Sequence, residues 1–107
     1  MIEARESSVQ TTRDGTTVSV VRSIDEENSF QVAIFLPQGH PLCNRHHHRL
    51  PVPVPDGWTS SGPSDNGSWR ICFVFRCPSD ITMTCHRVME IVNRRILDDP
   101  CWPKRTL

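Results

Sequence analysis

The residues with the plainest capacity for chemistry fall within nine positions: His40-x-x-Cys43-x-x-His46, followed directly by His47 and His48. Imidazole and thiolate are the ligands zinc favours, and a tetrahedral site needs four of them. His40, Cys43 and His46 would supply three, and a cysteine on a strand or helix, from Cys72, Cys77, Cys85 and Cys101, the fourth. The spacing argues the other way, because the common zinc signature is two close ligand pairs. Cys72 and Cys77 are five residues apart, which puts them on opposite faces of a strand. Without a metal, the histidine run reads as a solvated loop tract that titrates near neutral pH.

Nucleophilic catalysis needs a thiolate beside a base in a pocket. Cys85 and His86 are sequence neighbours, but adjacent residues on a helix point about 100° apart, so adjacency makes no dyad. Cys85 reads as core. The chain has no Gly-rich phosphate loop, paired carboxylates or serine nucleophile elbow, and no enzymatic activity is expected. A nucleic-acid surface would draw on Arg70, Arg76, Arg94, Arg95, Lys104 and Arg105, with Trp69, Phe73 and Trp102 near them in sequence. Arginines and exposed aromatics clamp and stack single strands. Glu90, Asp98 and Asp99 dilute that charge.

With 12 basic and 12 acidic side chains the net charge is zero, so the long-range field of a non-specific nucleic-acid binder is missing. The charges are unevenly placed. Residues 1–37 carry three basic and six acidic groups, and residues 68–107 carry seven basic and four acidic. An acidic end and a basic end suit head-to-tail self-association or docking on an acidic partner. The 107 residues are 36% apolar and 22% charged, which is one small domain burying roughly 65% of its unfolded surface. Apolar runs such as Val32 to Leu36 fall far short of the ~20 residues a membrane helix needs. Glu3, Arg5 and Glu6 stand where a secretion signal would be apolar, and the odd count of five cysteines suits a reducing compartment. An intracellular protein of cytoplasm or nucleus, with no membrane partner, is the expectation.

These candidate residues need elements to position them. Asp14-Gly15 marks a type I′ hairpin turn between strands at 7–12 and 17–24. After the polar loop Asp25-Glu26-Glu27-Asn28, Phe30, Val32, Ile34 and Leu36 alternate with Gln31, Ala33 and Phe35 in a third strand. Residues 38–67 are rich in proline and glycine and read as a long loop, with disorder between Thr59 and Gly67. At 68–77, Trp69, Ile71, Phe73, Phe75 and Cys77 form one face of a strand, and Arg70, Cys72, Val74 and Arg76 the other. Ser79 or Asp80 caps a helix over 80–98, with Ile81, Cys85, Val88, Val92 and Ile96 on one stripe. Met89 and Ile91 widen the stripe toward a partner surface. Residues 99–107 form a tail after Pro100.

The expected fold is therefore α+β: a three- or four-stranded antiparallel sheet covered on one face by a single C-terminal amphipathic helix. The other face carries Ala33, Phe35, Cys72 and Val74, too apolar for water. One helix cannot cover two faces, so that face, with Met89 and Ile91, is the expected interface, and a second copy its expected cover.

The order of these segments, through TTRDGTTVSVVRSIDEENSFQVAIFL, LPVPVPDGW, WRICFVFR and HRVMEIVNRRIL, resembles the small pathogenicity proteins encoded by betasatellites of plant geminiviruses. That resemblance implies a self-associating suppressor of RNA silencing, partly nuclear, that engages host regulatory proteins of ubiquitin and kinase pathways. FQVAIFLPQGHPL is also similar to the strand and proline-containing turn of RWD-like adaptor domains. The other class left open is a zinc-stabilised nucleic-acid-binding module.

Overall fold

A computed structural model of the chain describes residues 6–24, 26, 28–44, 55–63, 70–78 and 80–103. Among them, five strands form one antiparallel sheet: β1 (Ser7–Thr11), β2 (Thr17–Arg22), β3 (Ser29–Phe35), β4 (Trp58–Pro63) and β5 (Arg70–Arg76). Their spatial order is β1-β2-β3-β5-β4. The chain thus runs out to the far edge with β4 and returns to insert β5 beside β3. The α+β class stands as expected, with one strand more than the count read from sequence.

The extra strand lies in the proline-rich stretch whose composition predicts a loop. Trp58–Pro63 pairs with β5 from Trp58↔Phe75 to Pro63↔Ile71, with a bulge between Ser60 and Gly62. Gly57 enters it at φ 84°, and Pro63, lacking an N–H, sits at the strand's end on the sheet edge, where proline is tolerated. Order replaces the expected disorder over 59–63, and 64–67 lie outside the described residues.

The first hairpin also differs in detail. Thr12 N–H donates to Thr16 O at 2.8 Å and Gly15 N–H to Thr12 O at 3.0 Å. Gly15 has φ 91° while Asp14 keeps a negative φ. That is a type I turn closed by a left-handed glycine, not a type I′ pair. Asp14 Oδ1 accepts from the Thr16 N–H at 3.0 Å, which holds the turn without a second left-handed residue.

On the inner face, Val18, Val20, Phe30, Val32, Ile34 and Phe73 are all at most 1% exposed. Trp58 packs edge-on to Phe73, with ring centroids 5.7 Å apart. Over this face lies α1 (Cys85–Val92), continued by one π-helical turn, Asn93–Leu97. The helix begins at Cys85, five residues after the start expected at 80. Thr84 is the cap, its side chain accepting from the Arg87 N–H at 3.2 Å, and Ile81 is exposed rather than on the stripe. In the π turn Asp98 N–H reaches Asn93 O at 2.8 Å. The extra residue lets Ile96 and Leu97 both turn inward.

Candidate functional site

The register places the outer-face residues in rows across the strands. Val9↔Ser19, Ser19↔Ala33, Ala33↔Cys72 and Cys72↔Gly62 make one row of mostly small residues. Val21, Gln31, Val74 and Thr59 make the row on one side of it, and Thr17, Phe35 and Arg70 the row on the other. Small residues between larger ones leave a trough. It measures about 340 Å³ and is lined by Ser19, Val21, Gln31, Ala33, Arg70, Cys72 and Val74. Of the expected interface residues, Ala33, Phe35 and Val74 lie on this face, each half-buried. Of the large exposed apolar side chains among the described residues, Val9 lies on this face, at the β1 end of the small-residue row, and Ile24 and Ile81 lie elsewhere.

The other two expected interface residues are on the helix, and Met89 corrects the reading. It is 5% exposed and belongs to the chain's own core, because the helix stripe is wide enough to need it there. Ile91 is half-buried against that core. It lines a separate cavity of about 450 Å³ with Pro55, Asp56, Trp58, Phe75, Arg95 and Asp99.

The arginines do not converge. Arg70 and Arg76 share the outer face, since both are on β5 at even spacing. Arg76 is exposed and forms an ion pair with Glu26 at 3.6 Å. Arg94 and Arg95 are exposed on the helical layer, on the other side of the sheet. Lys104, Arg105 and Trp69 lie outside the described residues. Trp102, expected near the bases, is 4% exposed with its ring 6.0 Å from that of His40.

His40 itself is fully buried, so the reading of a solvated histidine fails at this position. Its Nδ1 accepts from the Leu42 N–H at 3.2 Å, tying it to the 3-10 turn Pro41–Asn44 that contains Cys43. His46 lies outside the described residues. Among the described residues no three histidine, cysteine or carboxylate side chains group as a metal set would.

Cys85 is 1% exposed, as its place on the stripe requires. Burial, and then the hydrogen bond and negative charge of Glu6, push its thiol up to about 11, so at neutral pH it is no thiolate. His86 points out to Glu90 at 3.1 Å, away from that thiol. No sequence motif singles out Glu6, yet it joins three elements. Its carboxylate accepts from the Cys85 N–H at 2.9 Å and from Arg22 Nη2 at 3.2 Å. Arg22 in turn donates to Met83 O at 2.6 Å and lies 4.7 Å from the centre of the Phe30 ring. No local pattern signals such a contact, because Glu6 and Cys85 are 79 residues apart.

Comparison with protein-family models, with curated proteins and with solved structures finds no match for this chain. Among the described residues no helix is long and apolar enough to cross a membrane.

Proposed function

We propose that this protein is a small regulator that acts through protein contacts, self-association among them, rather than through chemistry of its own. One observation carries the reading: the helix lids the inner face, while the outer face keeps a trough of about 340 Å³ lined by small and apolar side chains together with Gln31 and Arg70. A concavity of mixed apolar and polar lining on a sheet face is suited to another protein surface. The scattered arginines favour this over a nucleic-acid surface, since Arg70 and Arg76 lie across the sheet from Arg94 and Arg95. The finer form of this reading rests on the sequence resemblance alone, carried by the segments from TTRDGTTVSVVRSIDEENSFQVAIFL to HRVMEIVNRRIL. In that form the protein is a viral pathogenicity factor that suppresses RNA silencing, with a host regulatory protein as the partner.

The test is the molar mass of the whole chain by light scattering over a wide concentration range. A mass that climbs toward a multiple of 12.2 kDa supports the reading. A monomer at every concentration overturns self-association.

A further inference from the structure

We propose that two copies of this chain join edge to edge through β1, in an antiparallel pair centred on Val9, so that two five-stranded sheets become one. The proposal rests on the self-association reading above and adds where the junction lies. Among the described residues the sheet has two edges, β1 and β4, and they are built differently. β4 is blunted by a bulge at Ser60/Gly62 and by Pro63, devices that keep foreign strands from pairing. β1 reads Ser-Ser-Val-Gln-Thr, with no charge, proline or bulge.

The hydrogen-bond phase of β1 shows what this edge offers. Arg22 N–H donates to Glu6 O and Thr12 N–H to Thr16 O, so with the register Ser8↔Val20 and Gln10↔Val18 the even-numbered residues face β2. Alternation then turns the N–H and C=O of Ser7, Val9 and Thr11 off the sheet. The middle one of these three is also the middle of the five-residue strand, so the edge is complementary to itself. A two-fold axis between Val9 and Val9 of the second copy pairs each Ser7 with a Thr11, and every outward N–H meets an outward C=O. Val9, 64% exposed, then lies about 5.5 Å, Cα to Cα, from its counterpart, and no like charges oppose each other along the strand. Such an axis runs perpendicular to the sheet, so both helices come to the same side. Because α1 packs on β1 and β2, the helices add to the contact. A strand from an unrelated protein has no need of this symmetry, which is why the second copy is the occupant. The outer-face trough stays available to another protein.

Sedimentation equilibrium on the whole chain tests this with three variants. Val9→Pro removes an outward N–H and leaves the ladder to β2 complete. Val9→Lys sets two like charges across the axis. Phe35→Arg alters the outer face and leaves the edge alone. The expected result is a reversible dimer for the wild type and for Phe35→Arg. Both Val9 variants are expected at half that mass, with the wild-type circular dichroism spectrum. Dimers that persist in a folded Val9→Pro or Val9→Lys overturn the edge junction and leave self-association standing, as does a dimer lost in Phe35→Arg alone. Should Val9→Pro fail to fold, Val9→Lys decides. A monomeric wild type overturns both readings.

Discussion

The two faces of the sheet are drawn from the same strands one residue out of step, and they do different work. Inward, Phe30, Val32 and Ile34 are at most 1% exposed beneath the helix. Outward, Gln31 is exposed and Ala33 half-buried along a trough, and Phe35 is half-buried in the row opposite Arg70. Alternation alone does not make a two-sided core. The inner face is filled by large side chains, whereas the middle row of the outer face is Ser19, Ala33 and Cys72, small side chains that leave a trough between their larger neighbours. Stability should therefore reside inward and recognition outward. Truncating one phenylalanine on each face tests that division most severely. Phe30→Ala should cost about 3–5 kcal/mol in urea unfolding, and Phe35→Ala about 1–2 kcal/mol. Equal losses would mean that the outer face is core after all.

The same division governs which parts of the fold are legible in the residues alone. β2, β3 and β5 are readable because a period of two sustained over six or seven residues fits a strand and no helix. β4 is not, since Thr-Ser-Ser-Gly-Pro has turn composition and becomes a strand only because β5 offers it an edge. Ile81 fits the helical spacing but lies outside the helix, whose start is set by Thr84 and by Glu6 from the far end of the chain. His40 reads as solvated because its covering group, Trp102, is remote in sequence. Ala33, Phe35 and Val74 fall on the outer face by parity alone, whereas the place of Met89 depends on how wide a stripe the core absorbs.

A second contrast is between what holds the helix to the sheet and what merely starts it. Glu6→Ala removes the acceptor of the Cys85 N–H and the ion-pair partner of Arg22, and should cost about 1–2 kcal/mol at pH 7. Hydrogen bonds from Cys85, and then Arg22, hold the Glu6 carboxyl below its ordinary range. The unfolded chain therefore binds this proton more readily. The stabilisation is present above the ordinary carboxylate range and is lost as pH falls through the lowered folded value. Unfolding free energies measured across that acid range should converge for the wild type and Glu6→Ala. A constant gap would show that Glu6 acts through packing rather than charge.

The smallest effect belongs to the cap itself. Thr84 Oγ1 satisfies one backbone donor, the Arg87 N–H, and Thr84→Ala should cost about 1 kcal/mol, with Thr84→Ser close to neutral. Asp80→Ala is the matched control. It removes a residue placed to cap a helix beginning at Ile81, and since the helix begins at Cys85 the change should fall within about 0.5 kcal/mol of wild type. If Asp80→Ala proved the costlier of the two, the first turn would have to be redrawn around Ile81. That side chain would then move from the surface to the inner face, and the helix would reach further across the sheet than the contrast between its two faces allows.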